Sequence, residues 1–234
     1  MQRAMDESKI KIKFKIQCVA YTARTDKRTK RVFEDMNSAE YLKFYNDKSQ
    51  PKDYYGKIRS SADLVILIRP DFKSDTSALS IFNGVKYSET AILIGQDFIF
   101  DRYTLLHELG HVLGCAHEEK AKIYVTPLIF TNHAYIQESG YCSIMADPVK
   151  RTCKPGLFYS NPEVVYNKEK AGSYRANNAI WINNNRLALS KVGNEFYSCI
   201  NKNVFDLEFI EEMAFIKINA ADFSQRFNNY PDWG

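Results

Sequence analysis

The sequence predicts an α/β fold with a mostly parallel sheet, and three stretches support this prediction. In residues 9–21 lysine alternates with isoleucine or phenylalanine, a period of two that is typical of a strand with one buried face. Residues 37–46 begin with the capping pair Asn37-Ser38 and have apolar residues at helical spacing. Residues 62–68 form an apolar run apart from Asp63, as expected for a central strand that is covered on both faces. The order strand, helix, strand favours a parallel crossover unit.

Further along the chain, the segment 77–85 precedes another apolar run at residues 90–95. The next predicted element is a helix over residues 101–113, with Asp101 as a candidate cap. Apolar residues at helical spacing give this helix a face that can be buried: Leu105, Leu106, Leu109, Val112 and Leu113. Polar residues on this helix are therefore carried by a rigid element.

Residues 104–119 contain three of the four histidines in the chain. His107 and His111 are four residues apart, so on a helix their imidazoles lie on one face and can hold one metal ion. Gly114 can take the positive φ that ends a helix, and the chain can then turn back to present His117 as a third ligand. Glu108 can reach a water beside the metal without ligating the metal itself, as a general base does.

Three imidazoles and one open position are the arrangement of catalytic zinc, because structural zinc is usually closed by four protein ligands. The alternative is a set of core or surface histidines that bind no metal. A histidine pair at this spacing occurs by chance in unrelated helices, but the added glycine and third histidine make the pattern far more specific. We therefore expect one catalytic Zn²⁺ ion.

The pattern His-Glu-x-x-His-x-x-Gly-x-x-His at residues 107–117 resembles the zinc motif of the metzincin metalloproteases. The similarity is to the adamalysin or reprolysin-like branch of bacterial type, and it loses specificity from about residue 60 to residue 192. It implies a twisted, mostly parallel five-stranded sheet with an antiparallel edge strand, a zinc helix, a Met-turn and a largely irregular C-terminal subdomain. The chain departs from the family pattern at Glu118, where adamalysins usually have aspartate, and it lacks the astacin tyrosine two residues after Met145.

The resemblance also implies roles for three further segments. Residues 141–147 resemble the Met-turn, whose methionine, Met145, would lie beneath the imidazoles, although a lone methionine is more often core filler. By position, the edge strand that borders the active-site cleft consists of Ala78, Leu79, Ser80, Ile81 and Phe82. An extended peptide can add to such an edge as another strand, and the alternative is an edge that only completes the fold. An apolar wall of the substrate pocket is expected from Leu157, Phe158 and Tyr159.

The length of 234 residues and the apolar fraction of 45% fit one substantial soluble domain. We expect a catalytic domain over residues 1–192, with an upper part to about residue 116 and a lower part from residue 117. Residues 193–234 would be a C-terminal extension of uncertain role. The net charge of +4 does not favour nucleic acid as a partner, and no apolar stretch approaches the roughly 20 residues that span a membrane.

The sequence also gives expectations for localisation and for cysteine pairing. The N-terminus lacks the apolar core of a signal peptide, so we interpret the chain as a secreted protein given without its signal and pro-segment. Its five cysteines allow at most two disulfides and leave one thiol over. If disulfides form, Cys142 and Cys153 are the expected pair, because they flank the Met-turn segment and could fix the pocket wall.

Taken together, these residues predict a zinc-dependent endopeptidase that acts on peptides or proteins, with Glu108 as the general base. The alternative is a metzincin-fold toxin or binding subunit whose C-terminal extension binds a protein partner, with minor or latent proteolysis. The presence of Glu108 argues against an inactive enzyme, since loss of that base is the simplest way to abolish activity.

Overall fold

The computed structural model describes residues 1–20, 63–69, 78–81, 91–95, 102–118, 131–147, 152–190 and 214–221. Within these ranges the helices are α1 (Gln2–Glu7), α2 (Arg102–Val112) and α3 (Asn178–Leu189). The strands are β1 (Ile12–Ala20), β2 (Leu64–Arg69), β3 (Ala78–Ile81), β4 (Ala91–Gly95), β5 (Tyr141–Cys142), β6 (Lys154–Pro155), β7 (Asn161–Tyr166), β8 (Glu169–Ala171) and β9 (Ala214–Ala221). The helix predicted over residues 37–46, the candidate cap Asp101 and the edge residue Phe82 lie outside the described residues.

Five strands form one sheet in the order β1-β9-β2-β4-β3. The pairs β1 with β9, β9 with β2, and β2 with β4 are parallel, whereas β3 runs antiparallel to β4. The strands predicted at residues 9–21, 62–68 and 90–95 are present as β1, β2 and β4. The edge strand predicted at residues 78–82 is present over the four residues of β3. That this sheet is the sheet of a metzincin stays a prediction.

Strand β9 comes from the segment that the sequence assigns to a C-terminal extension. It lies between β1 and β2 and pairs with both, so that Ile218 stands opposite Ile16 of β1 and Leu64 of β2. The strands β1 and β2 are therefore parallel but not neighbours, because β9 lies between them. The chain on either side of β9, residues 191–213 and 222–234, lies outside the described residues.

The core lies between this sheet and helix α2, which packs against β3 and β4. Consecutive residues of the central strands are buried: Leu64, Val65 and Ile66 in β2, and Ile92, Leu93 and Ile94 in β4. Burial of successive residues means that both faces of the sheet are covered, as the apolar runs predict. From α2 the core receives Leu106, Leu109, Val112 and Leu113.

The N-terminal helix α1, which the sequence analysis did not predict, contributes to the same core. Ala4 and Met5 are buried in it, and Ser8 directly after it is fully buried. The Ser8 hydroxyl donates to the Ala4 carbonyl oxygen at 2.6 Å and accepts from the Tyr159 backbone N–H at 2.8 Å. The first residues of the chain are thereby joined to the part that follows the three histidines of residues 107–117.

Between residues 117 and 190, the described chain has little regular structure beyond α3 and two small sheets, β5 with β6 and β7 with β8. Asn177 caps α3 by accepting from the Ile180 N–H at 3.0 Å. Cys142 and Cys153 form a disulfide, which confirms the pairing expected from their positions. Among the described residues, no helix combines the length and apolarity needed to cross a membrane.

Candidate metal centre

The end of helix α2 brings the third histidine back toward the first two. Gly114 has φ of +86°, as predicted, and its N–H donates to the His111 carbonyl oxygen at 2.9 Å. The next N–H, of Cys115, donates to the Gly110 carbonyl oxygen at 2.8 Å. This pair of bonds is a Schellman motif, in which a glycine at positive φ ends the helix and reverses the chain. His117 follows the reversal, so its ring can reach the face that carries the other two.

The three imidazoles converge through the same ring atom. His117 Nε2 lies 2.9 Å from His107 Nε2 and 3.1 Å from His111 Nε2. His107 is 7% exposed, while the other two rings are partly exposed. This group of three histidines could hold a metal ion. The structure thus brings together all three ligands that the sequence predicts.

The opposite ring nitrogens show which tautomer is present. His107 Nδ1 lies 2.8 Å from the Ile144 carbonyl oxygen, and His111 Nδ1 lies 3.0 Å from the Cys115 carbonyl oxygen. A carbonyl oxygen only accepts, so each Nδ1 carries the hydrogen and each Nε2 of a neutral ring presents a lone pair. Such bonds fix ring orientation and make the metal-facing nitrogen a better donor.

The lone pairs give a test of whether these residues suit a cation. His117 Nε2 lies 2.9 Å and 3.1 Å from two nitrogens whose lone pairs face it, and one proton on His117 could satisfy only one of these two contacts. A metal ion between them would be bound by all three at once. For tetrahedral zinc with Zn–N bonds of about 2.0–2.1 Å, nitrogens should lie about 3.3 Å apart, a few tenths of an ångström more than observed. The donor set and its geometry therefore fit zinc.

Glu108 follows His107 on α2 and is partly exposed. A carboxylate one residue from a ligand is carried at the rim of the imidazole face instead of among the three Nε2 atoms. It therefore remains open to solvent, as a group that exchanges a proton with water must be. Its role as general base stays a prediction.

Met145 lies in a tight turn directly beneath α2. The Ala146 N–H donates to the Ser143 carbonyl oxygen at 3.1 Å, which closes the turn, and Met145 is 0% exposed. Its sulfur approaches the helix at Gly110, where a Cβ built on the glycine would lie only 2.1 Å from Sδ. The turn also supplies the Ile144 carbonyl that orients His107. Turn and helix are thus in direct contact at the metal centre.

Glu118, the departure from the family's aspartate, has a defined partner in this structure. Its Oε2 accepts from the Asp147 backbone N–H at 2.9 Å, directly after the turn. The Cys142–Cys153 disulfide lies directly before the turn. The turn is therefore fixed at both ends, by a carboxylate from the histidine segment and by a covalent bond.

The predicted pocket wall lies behind the metal centre. Phe158 and Tyr159 are 0% exposed, and Leu157 is partly exposed. The Tyr159 hydroxyl donates to the Leu106 carbonyl oxygen at 2.7 Å, and its ring lies against Gly110. Burial raises the pKa of Tyr159 well above its ordinary value, so the hydroxyl stays protonated and remains a donor. Of these three residues, Leu157 is the one with side-chain surface that a ligand can reach.

Two residues of the site were missed by sequence reasoning. Asn132 donates from Nδ2 to the Gly114 carbonyl oxygen at 2.7 Å, and His133 donates from Nδ1 to the His117 carbonyl oxygen at 3.0 Å. One signal was available in the sequence, because His133 is the fourth histidine of a chain whose other three could hold a metal ion.

No family model, curated protein or solved structure was found to match this chain. The class of site is therefore defined by the geometry of the chain's own residues, a group of three histidines that could hold a metal ion.

Proposed function

We propose that the protein is a zinc-dependent endopeptidase of the metzincin type. The observation that carries this proposal is the convergence of three imidazoles, with His117 Nε2 at 2.9 Å and 3.1 Å from the Nε2 atoms of His107 and His111, while the partly exposed Glu108 follows His107 on the same helix. Three nitrogen ligands leave a coordination position for a reacting molecule, which a structural site would not need. The residue pattern of the metzincins and the contact between Met145 and α2 support the same assignment.

A zinc ion bound there would act as a Lewis acid that polarises the scissile carbonyl and makes water a stronger nucleophile at neutral pH. Glu108 takes the proton from the attacking water and later delivers it to the departing amine nitrogen. The carbonyl oxygens of Ile144 and Cys115 keep the His107 and His111 rings in the tautomer that metal binding requires. Hydrolysis in this scheme needs no covalent intermediate with the protein.

Substrate binding is proposed at the free edge of β3. That strand ends the sheet among the described strands, so the outer backbone groups of Ala78–Ile81 can pair with an extended peptide. Helix α2 packs against β3, which places this edge beside the element that carries the ligands. Main-chain pairing would hold peptides of many sequences in one extended pose.

Side-chain preference is proposed to come from the segment after the Met-turn. Leu157 contributes the partly exposed surface, and Phe158 and Tyr159 support it from within the core. An apolar wall favours a medium or large hydrophobic residue directly after the cleaved bond. The preference should be graded, because one methylene changes discrimination by only about 1–3 kcal/mol. A cleavage profile dominated by charged residues at that position would refute the pocket while leaving the metal centre intact.

The disulfide between Cys142 and Cys153 supports the proposal that the protein is secreted, since disulfides persist in oxidising compartments.

The test combines elemental analysis with hydrolysis of a proteome-derived peptide library. The wild-type protein should contain one zinc and cleave peptides. Glu108→Gln should keep the zinc and lose about 10²–10⁴-fold in hydrolysis, the usual contribution of a positioned general base. Glu163→Gln makes the same chemical change at an exposed carboxylate of β7 and should leave both unchanged. His117→Ala should lose zinc, because it removes a ligand.

Three results would count against the proposal. A folded wild-type protein without zinc would refute the proposed zinc centre. A wild-type protein that contains zinc but hydrolyses no library peptide would refute the proposed protease activity. Full hydrolysis by Glu108→Gln would show that another group activates the water.

A further inference from the structure

The third histidine lies on a different kind of element from the other two. His107 and His111 are held by α2, whereas residues 115–118 have no regular secondary structure. Ordering such a segment when a metal binds costs conformational entropy, and that cost weakens binding. The affinity of the centre therefore depends on how firmly this segment is held before the metal arrives.

Side chains from one neighbouring segment hold it at both ends. Asn132, which is 1% exposed, donates to the Gly114 carbonyl oxygen at the start of the reversal. His133 donates to the carbonyl oxygen of His117, the ligand residue itself. The two donors are adjacent in sequence and span the whole stretch from the helix end to the third ligand.

Backbone bonds fill the space between these two contacts. The Ala116 N–H donates to the Asn132 carbonyl oxygen at 2.9 Å, and the Ala134 N–H donates to the Ala116 carbonyl oxygen at 3.1 Å. The Ala134 N–H also lies 3.4 Å from the His117 carbonyl oxygen. This pattern is that of a short parallel bridge, so the two segments are aligned in register.

The segment that contains Asn132 and His133 is itself fixed to buried groups. The Asn178 side chain, at the start of α3, donates to the Asn132 carbonyl oxygen. The Ser160 hydroxyl lies 2.6 Å from the His133 carbonyl oxygen and accepts from the Asn178 N–H at 2.9 Å. Both Ser160 and Asn178 are 0% exposed. Displacing the segment would therefore leave several buried polar groups without partners, which is costly.

We propose that Asn132 and His133 form a clamp that preorganises His117 for the metal, with His133 as the specific positioning residue. This inference rests on the proposed zinc centre and concerns how tightly that centre binds. The functional group of His133 is its Nδ1–H donor, and the Nδ1 atom is attached to Cγ. Asparagine also carries its donor nitrogen on Cγ, so His133→Asn can keep the bond, whereas His133→Leu cannot.

The experiment measures the zinc dissociation constant by competition with a chromophoric chelator. His133→Leu should bind zinc about tenfold or more weakly than wild type, at the lower end of the effect of losing a hydrogen-bond partner of a ligand. His133→Asn should stay within about threefold of wild type by the same reasoning. In the cobalt-substituted protein, the visible absorption bands should shift for His133→Leu and be retained for His133→Asn.

A control separates positioning from general loss of stability. Asn183 donates from Nδ2 to the Lys9 carbonyl oxygen at 3.1 Å and accepts at Oδ1 from the Lys11 N–H at 2.8 Å, so Asn183→Ala removes two side-chain bonds to the backbone outside the metal centre. Thermal unfolding of the zinc-free forms should show that this variant and His133→Leu are both folded. Only His133→Leu should lose zinc affinity.

Equal zinc affinity of His133→Leu and wild type would overturn the clamp, and so would equal losses in the Leu and Asn variants. If His133→Leu does not fold without zinc, His133→Asn decides the proposal. Its zinc affinity and cobalt spectrum must then match those of wild type. Zinc binding by wild type without peptide hydrolysis would refute the proposed protease and leave the clamp to be decided by these affinities.

Discussion

A methyl group added at Gly110 should destabilise the protein even though it improves a helix. The Cβ of Gly110→Ala would lie 2.1 Å from Met145 Sδ, 3.0 Å from Tyr159 Cε1 and 3.2 Å from Met145 Cε. Carbon and sulfur atoms in ordinary contact lie about 3.5–4.0 Å apart, so the sulfur would have to move by more than an ångström. Met145 and Tyr159 are both 0% exposed, which leaves the displaced side chain no open surface to move into.

Two opposing terms set the size of this effect. Replacing glycine by alanine inside a helix contributes about 1 kcal/mol of stability. Forcing extra volume into a packed core costs about 1–3 kcal/mol. The net change in the free energy of unfolding should therefore be a loss of about 0–2 kcal/mol. Zinc affinity should fall as well, because Met145 adjoins Ile144, whose carbonyl orients His107.

A double-mutant cycle isolates the contact. Met145→Ala alone should cost about 2–5 kcal/mol through the cavity that it leaves. Combined with Gly110→Ala, the new methyl group can enter that cavity, so the two changes should couple favourably by about 1–3 kcal/mol. Urea unfolding in the presence of a chelator is the suitable assay, since bound zinc would add its own stabilisation. Coupling below about 0.5 kcal/mol would show that Met145 does not press on the helix at this glycine.

Three further perturbations have defined outcomes. Tyr159→Phe removes the donor to the Leu106 carbonyl and should lower the free energy of unfolding by about 1 kcal/mol, measured by urea unfolding; no change would mean that this bond is not formed in solution. Burial raises the pKa of the Cys115 thiol, so iodoacetamide should label Cys115 only after denaturation, as read by peptide mass spectrometry; rapid labelling of the native protein would contradict its burial. A hydrogen bond from the Ser139 hydroxyl is the largest cause that lowers the pKa of Glu169, and backbone N–H bonds lower it further. The ionised Glu169 therefore stabilises the folded protein above the ordinary glutamate pKa of about 4.3, and this stabilisation is lost as pH falls through the lowered native pKa. Glu169→Gln should therefore destabilise the protein at neutral pH and have less effect in acid, and a larger effect in acid would refute the sign.

What could be predicted from the sequence depends on short-range patterns. The two helical histidines and Gly114 follow one another at intervals of about one turn, along α2 and just past its end, and their geometry follows from helix periodicity and from the conformational freedom of glycine. Cys142 and Cys153 are eleven residues apart on either side of one turn, which makes them natural partners. Here local spacing alone limits the possible arrangements.

The parts that could not be predicted depend on contacts across long sequence separations. Ser8 and Tyr159, 151 residues apart, meet through a hydroxyl and a backbone N–H. Neither residue type specifies the other, because serine hydroxyls and backbone amides bond to many partners. Asn132 illustrates the same point, since asparagine in an irregular segment is ordinary turn composition. Only the folded chain shows that it supports the end of helix α2.

The position of β9 affects the order in which the chain can fold. During synthesis, residues 12–20 and 64–69 emerge long before residues 214–221, yet the late segment lies between the two early ones. Until it arrives, β1 and β2 have no shared partner, and the facing edges of both expose unpaired backbone groups. Pairings over such long separations close slowly and leave intermediates prone to aggregation. The histidine helix can pack on β3 and β4 earlier, so metal could reach a partly folded chain, and only the last strand would join β1 to the sheet that supports the site.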